Sequence, residues 1–550
     1  MGKNQGEVRH MVTTWPGWPG RPGRSQTVYR VAVERDLPVP MPDGAVLLAD
    51  RYVPRDAVRP PTILIRSPYG RRGMFGLMYG RAFARHGFQV LMQSCRGCFG
   101  SGGVPSPLDE HEDGLATLAW LREQPWYGGT LAMHGPSYLG YAQWAIAAFA
   151  GPDLRAMATS VTASQFRDAA YVGGAFALES SLIWSTLTAT IDSPFGALTA
   201  PRRTRRAALS GRPLSELDLL SAGRAVPFFQ DLLTHHADPA AYWDRRDFSA
   251  SVGEVEAAVT MLGGWYDVFL PWQVKDYLAL RAAGRRPQLT IGPWYHSDIR
   301  QTRAANADAL TWFRAHLLGD VSGLREQPVR IFVTGADAWR DYPDWPVPGM
   351  RPQRWHLRPG FGLGPGNPEH SEPDRYRYDP AHPTPALGGP VLLGNSEPRD
   401  QRRLEARRDV LVYTGPELRE DTDMIGPVTA ELYLRSTTEH TDVVVRVCDV
   451  HPNGTSYNVC EGVRRLAPGL PVAGPDGVRR VEVDLWPIGH RFRRGHRIRV
   501  HVASGAYPRI ARNLGTGDLL GADGAMLAAD QEVFHDPDHP SAVVLPLVPR

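Results

Sequence analysis

A strand that ends in a sharp turn and re-emerges as an apolar helix limits a long chain to few folds, and residues 131–150 have that form. Leu131 to Met133 is a short apolar strand, Gly135-Pro136-Ser137-Tyr138-Leu139-Gly140 is the turn, and Tyr138 to Ala150 is an apolar helix. Such a connection belongs to a parallel sheet covered by helices. A serine on the turn presents its hydroxyl above the sheet edge, with the next backbone amide and the helix N-terminus aimed at developing negative charge. Ser137 is the candidate nucleophile. The spacing departs from the generic G-x-S-x-G elbow, since Leu139 stands two residues after the serine and glycine follows one later, at Gly140.

Two downstream segments supply partners. Val259 to Leu262 reads as a buried parallel strand running into Gly263-Gly264-Trp265-Tyr266-Asp267, and Gln288 to Ile291 as another, followed by Gly292-Pro293-Trp294-Tyr295-His296. Asp267 is the expected orienting carboxylate and His296 the general base. A serine hydroxyl is a poor nucleophile until a histidine takes its proton, and the carboxylate then holds the imidazolium. Singly, the three read equally well as a helix N-cap, a loop cap and a surface histidine. Their joint order, nucleophile then acid then histidine, is that of α/β-hydrolases. This chemistry needs no metal or cofactor.

An H-G-G-G loop is absent, and Arg66-Ser67-Pro68-Tyr69-Gly70 stands after the apolar strand Thr62 to Ile65 instead. Pro68 has no amide to offer. The Tyr69 hydroxyl with the Tyr138 backbone N–H would make a two-donor oxyanion hole. A packing role for the Tyr69 ring accounts for the spacing as well.

With these residues in place, the chain resembles the CocE/NonD family of serine hydrolases, the cocaine esterases, allied to X-prolyl dipeptidyl peptidases and α-amino acid ester hydrolases. The resemblance runs nearly end to end. It rests on Val39 to Gly44, the R-S-P-Y-G loop, Arg96-Gly97-Cys98-Phe99-Gly100-Ser101-Gly102, the run from Gln124 to Gly140, and the turns at Asp267 and His296. Tyr378-Asp379-Pro380, Pro383 to Gly389, and Tyr507-Pro508-Arg509 with Asn513 extend it. The resemblance implies Ser137, Asp267 and His296 as the triad, Tyr69 and Tyr138 as the oxyanion hole, and a C-terminal jelly roll that walls the site. One departure stands in the R-G-x-x-G-S-G segment. Family members commonly place an aspartate two residues before its arginine, and this chain has Ser94, which leaves any ion pair there open.

The 550 residues, 42% of them hydrophobic, allow several domains with substantial cores. A net charge of +3 with dispersed basic residues gives no footprint for nucleic acid, and the run Arg202-Arg203-Thr204-Arg205-Arg206 reads as a solvated loop. The first residues lack a continuous apolar run and no later stretch would span a bilayer, so a cytoplasmic protein without a membrane partner is expected. A homodimer stays open. Four cysteines are too few for a disulfide framework. Cys95 and Cys98 lie in a Gly-rich turn rather than at a helix N-terminus, which disfavours a redox role. Cys448 and Cys460 flank Pro452-Asn453-Gly454, a hairpin turn across which they would face each other.

The expected organisation is α/β, an α/β-hydrolase domain with an inserted helical cap and a C-terminal β-sandwich. Residues 1–26, rich in Pro and Gly, form a tail. Strand and helix patterns alternate over 27–162, Ala- and Leu-rich helical segments such as 173–189 and 215–224 fill 163–245, and alternation returns over 246–345. Short strands separated by Gly, Pro and Asn turns occupy 346–550. Phe269, Phe166, Tyr171 and Trp184 are candidate pocket residues for a small-molecule ester or amide. Two other enzymes share the scaffold. An X-Pro dipeptidyl-peptidase-like aminopeptidase needs a carboxylate for the substrate amine, for which Glu179, Asp192, Glu216 and Asp218 are candidates. An acyltransferase of secondary metabolism would exchange water for another nucleophile. A noncatalytic binding protein is a third reading, against which the triad speaks.

Overall fold

The structure is a computed structural model that describes residues 28–191, 194–236, 240–394, 396–522 and 524–549. The N-terminal tail, residues 1–26, and Asp192 lie outside the described residues. Ten strands form one sheet: β1 (Val31–Pro40), β2 (Val46–Pro54), β3 (Thr62–Ser67), β4 (Gln89–Ser94), β5 (Leu131–Pro136), β6 (Leu154–Ser160), β7 (Ala258–Tyr266), β8 (Gln288–Tyr295), β9 (Val329–Val333) and β10 (Ala338–Tyr342). Their order is β1-β2-β4-β3-β5-β6-β7-β8-β9-β10. From β4 to β9 every neighbour is parallel, so β3, β5, β7 and β8 end at the same edge.

The central strands are apolar without alternation because helices cover both faces. Ile63, Leu64 and Ile65 are all buried, as are Val90, Leu91 and Met92. Each such side chain contributes about 1.5–3 kcal/mol relative to exposure. The helix Tyr138–Ala147, all ten of whose residues are buried, lies inside the domain and is apolar all round for that reason. The helix Ile299–Leu318 packs on the sheet, starting at Asp298, whose carboxylate accepts from the Arg300 N–H, and ending at the left-handed Gly319.

Between β6 and β7 the chain leaves the sheet. Helices Leu178–Thr190, Pro194–Ala208, Leu217–Ala222, Pro227–Thr234 and Ala240–Trp243 supply the helical segment. Two local expectations change here. Residues 171–176 form a two-stranded hairpin rather than the start of a helix, because Gly173 and Gly174 both take positive φ. A Cβ at Gly173 would lie 1.8 Å from the Val463 carbonyl oxygen, and the Arg465 N–H donates to the Gly173 carbonyl at 2.8 Å. The hairpin thus docks on the C-terminal domain. Arg202 to Arg206, expected in a loop, lies within the helix Pro194–Ala208. Ala200, Thr204, Ala207 and Ala208 are its buried face, and Arg202, Arg205 and Arg206 are exposed.

The C-terminal region is all β, eleven strands in one hydrogen-bonded set. Its longest ladder joins Thr422–Ser436 to Arg479–Phe492. The expected α/β class with a helical segment and an all-β C-terminal domain holds. None of Cys95, Cys98, Cys448 and Cys460 is in a disulfide. Cys448 and Cys460 do not face each other. A register shift sets Cys460 opposite Val447 and Cys448 opposite Asn458. Among the described residues no helix is long and apolar enough to cross a membrane.

Candidate active site

Ser137 sits between β5 and the buried helix with φ 54° and ψ −126°, a conformation L residues avoid and that costs about 1–3 kcal/mol. The neighbouring glycines make the turn feasible. A Cβ at Gly135 would lie 2.3 Å from Leu139 Cβ, and one at Gly140 would lie 2.4 Å from Thr162 Cγ2. The second contact accounts for the glycine at this position, since Gly140 passes directly against Thr162, which follows β6. Thr162 also donates from Oγ1 to the Ser137 carbonyl at 2.6 Å.

Ser137, Asp267 and His296 follow β5, β7 and β8, and the shared sheet edge brings them together. His296 Nε2 lies 3.0 Å from Ser137 Oγ, and His296 Nδ1 lies 2.6 Å from Asp267 Oδ1. Asp267 is fully buried, and its other carboxylate oxygen accepts the Phe269 N–H at 3.0 Å. Its carbonyl oxygen accepts from Trp486 Nε1 at 3.0 Å, so a side chain of the C-terminal domain secures the turn that carries it. Sequence reasoning missed Trp486, because nothing local marks a strand tryptophan 219 positions downstream.

Tyr69 follows β3, next to β5 in the sheet. Its hydroxyl accepts a hydrogen bond from Trp184 Nε1 at 3.0 Å, which leaves the phenolic hydrogen free for another acceptor. Burial pushes the phenol up to about 12, opposed by the Trp184 hydrogen bond. The Tyr69 ring meets Tyr138 edge-on at 6.5 Å. Tyr138 is the first residue of its helix, where a backbone N–H has no partner within the helix. Its side chain points the other way. The Tyr138 hydroxyl donates to Glu110 at 2.6 Å and accepts the Leu108 N–H at 2.9 Å. Glu110 is buried and pairs with buried Arg66 at 2.8 Å, which fixes the helix start from beneath.

An apolar pocket opens beside Ser137, and three of the four aromatic candidates line it: Phe166, Phe269 and Trp184. Phe166 stacks on Phe269 at 4.4 Å, and Phe269 lies 5.4 Å from the His296 ring. Phe228 packs edge-on against Trp184 at 4.8 Å, and Leu392, from beyond the sheet, closes part of the wall. Tyr171 is not in this pocket. Its hydroxyl donates to the Leu232 carbonyl, and its ring packs on Phe176 in the short hairpin.

None of the described pocket residues is a carboxylate. Glu179, on the same helix as Trp184, lies outside the lining, and burial raises its carboxyl above the usual range despite the nearby Arg509 and Arg205. Glu216 is half exposed and pairs with Arg212. Asp218 is fully buried and accepts from the Leu219 and Val226 N–H groups and from Gln230, a structural set of bonds. At the departure noted in the sequence, Ser94 Oγ accepts from Arg71 at 2.9 Å, and the charge on Arg71 is met by Asp50 at 2.9 Å and by Asp36. Arg96 pairs with Asp113 and, at 2.6 Å, with Asp43.

Comparison with known proteins agrees with this architecture. Residues 43–298 match the family model of the X-Pro dipeptidyl-peptidases (S15 family), and residues 322–544 match that of the X-Pro dipeptidyl-peptidase C-terminal non-catalytic domain. The chain is 32% identical to the cocaine esterase of Rhodococcus sp. (strain MB1 Bresler), over 94% of this chain and 99% of that one. An aminopeptidase from a marine sediment Thaumarchaeota archaeon shares the fold at TM-score 0.80 with 21% identity, covering 98% of this chain and all of that one. An α-amino acid ester hydrolase does so at TM-score 0.79 with 20% identity and the same coverage. The chain belongs to the CocE/NonD family of S15-type serine hydrolases, and it is an enzyme of the serine esterase and acyl hydrolase kind.

Proposed function

We propose that the chain hydrolyses carboxylic esters with an apolar acyl group through an acyl-enzyme on Ser137. The observation that carries this is the continuous contact from Ser137 Oγ through His296 to Asp267, 3.0 and 2.6 Å, at the mouth of an apolar pocket. Ser137 Oγ attacks the ester carbonyl while His296 Nε2 takes its proton, and Asp267 holds the resulting imidazolium. The carbonyl oxygen, now negative, accepts from the Tyr69 hydroxyl and the Tyr138 N–H. Collapse of the tetrahedral intermediate breaks the ester C–O bond, and His296 protonates the departing alcohol. Water then attacks the acyl-enzyme with His296 as base, which releases the acid and restores Ser137.

The pocket supports an ester rather than an X-Pro peptide substrate. A substrate α-amine is a cation that needs a carboxylate, and the described lining residues offer aromatic rings, aliphatic groups and serine hydroxyls. The test is the turnover of a short-chain aryl ester beside that of an X-Pro anilide, for wild type and Ser137→Ala. The ester is expected to turn over and the anilide to remain intact. The variant should lose about 10⁶ in kcat while keeping the wild-type circular dichroism spectrum. Faster cleavage of the anilide would overturn the ester reading in favour of a peptidase, and residual turnover near wild type in Ser137→Ala would remove Ser137 as the nucleophile.

A further inference from the structure

A second histidine and carboxylate cluster lies in the C-terminal domain, away from Ser137. Asp449 is the next-to-last residue of the strand Thr441–Val450, His451 begins the hairpin turn that follows, and His496 sits in the turn between Arg479–Phe492 and Arg497–Ala503. One donor atom from each lies within 4.8 Å of the others. The three line a cavity of about 440 Å³ whose lining also includes Trp265, Tyr266 and Pro293, residues just before Asp267 and His296. Sequence analysis expected no metal. The Asp-x-His spacing on a strand end places both side chains on one side of the ladder, but the third member comes from a turn 45 residues on, with no recognisable motif.

The surroundings of Asp449 are unusual for a buried carboxylate. It is 4% exposed, and among the described residues its ion-pairing partners are all imidazoles, with no lysine or arginine. His496 Nδ1 lies 2.9 Å from Oδ1 and 3.1 Å from Oδ2. His451 Nε2 lies 3.7 Å from Oδ2. A divalent ion with bonds of about 2.0–2.2 Å to nitrogen and oxygen sets its donor atoms about 3.0–3.5 Å apart. Measured from Asp449 Oδ2, His496 Nδ1 at 3.1 Å already fits and His451 Nε2 at 3.7 Å is slightly long, and the His451 ring, 38% exposed on its turn, can rotate to approach both partners. His490 adds an outer partner. Its Nε2 lies 3.2 Å from Asp449 Oδ2 while its Nδ1 meets Thr334 Oγ1 at 2.8 Å, so the carboxylate is oriented by a ring that is itself held. Such outer contacts are characteristic of metal ligands.

We infer that Asp449, His451 and His496 form a binding site for a divalent transition metal of the Zn²⁺ class that clips the two hairpin turns together beside the catalytic sheet. Two imidazoles and one carboxylate suit Zn²⁺, Co²⁺ or Ni²⁺ and disfavour Mg²⁺ and Ca²⁺, which take oxygen donors. Three protein ligands leave a coordination position facing the cavity. The site is separate from the chemistry at Ser137, which routes no step through it.

The test uses the full-length, tag-free chain dialysed against EDTA, titrated with ZnCl₂ by calorimetry and with CoCl₂ by visible absorption. The expected result is one Zn²⁺ per chain, a Co²⁺ d–d band, and no displacement by excess Mg²⁺. His451→Ala and His496→Ala should each weaken Zn²⁺ binding about 100-fold or more and abolish the Co²⁺ band, and His490→Gln should weaken binding about tenfold. Circular dichroism of each metal-free variant checks the fold, and His451, on an exposed turn, is the variant least able to disturb it. Absence of saturable binding would overturn the proposal. So would binding of wild-type strength in His451→Ala, which would place the metal elsewhere, or Mg²⁺ bound as tightly as Zn²⁺.

Discussion

The two halves of the proposed active site are built differently. The nucleophilic half, Ser137, Asp267 and His296, hangs from the ends of three parallel strands of one sheet, so backbone hydrogen bonding places all three side chains. The half that would receive the carbonyl oxygen and the acyl group is assembled from separate parts: Tyr69 after β3, Trp184 on a helix of the inserted segment, Phe269 after Asp267, and Leu392 from beyond the sheet. A residue of the first half either does its task or fails. The second half adjusts by degrees, because its hydroxyl donor is held by a side chain from a different part of the molecule.

Asp267→Asn tests the first half most severely. The amide can present an N–H to His296 Nδ1, which forces the proton onto Nε2, and that nitrogen can then no longer accept from Ser137. A fall in kcat of about 10⁴ with an unchanged fold is expected for ester turnover. A loss below tenfold would show that the 2.6 Å contact at Nδ1 is structural, and the sheet-edge half would lose its claim to all-or-none behaviour.

This division also sets what could be read from the chain alone. The meeting of Ser137, Asp267 and His296 was legible because each follows a short apolar run that reads as a buried strand, and strand ends in a parallel sheet converge. Tyr69 was legible in position for the same reason, but its partner was not. Trp184 sits in a helical segment whose packing depends on contacts with Phe228 and Tyr138, and no local pattern announces which aromatic turns inward. The same blindness put Tyr171 on the list of pocket residues, when two adjacent positive-φ glycines carry it into a hairpin that docks on the C-terminal domain. The Cys448 and Cys460 pairing failed for a smaller reason, a single register shift that the hairpin turn does not encode. Asp449, His451 and His496 escaped because their nearness is a property of two neighbouring turns.

Removing the hydroxyl of the second half is expected to cost less. Tyr69→Phe should lower kcat by about 10² to 10³, the usual loss for one oxyanion donor, with a smaller change in KM. The phenol must be neutral to donate, and its surroundings hold it neutral. Because burial pushes it up to about 12, the folded chain keeps this proton at pH values where an exposed tyrosine, near 10, gives its proton up. The corresponding contribution to stability is fully present below about pH 10 and drains away as pH climbs toward about 12. Ester kcat should therefore hold level through about pH 10, measured with circular dichroism alongside. A decline centred near 10 in wild type but absent from Tyr69→Phe would mean that the phenol is solvated.

Trp184→Phe is the smallest and most discriminating change. It deletes the indole N–H that reaches Tyr69 at 3.0 Å while keeping an aromatic ring to stack on Tyr138 and meet Phe228. A neutral hydrogen bond contributes about 1 kcal/mol, so kcat should fall about fivefold. The double-mutant cycle decides what that loss means. If the indole acts by positioning the Tyr69 hydroxyl, Trp184→Phe has no further effect once Tyr69 is phenylalanine, and the inserted segment sets the rate through that one contact. If it costs as much in the Tyr69→Phe background as in wild type, Trp184 serves only as pocket wall, and the two halves are independent of each other after all.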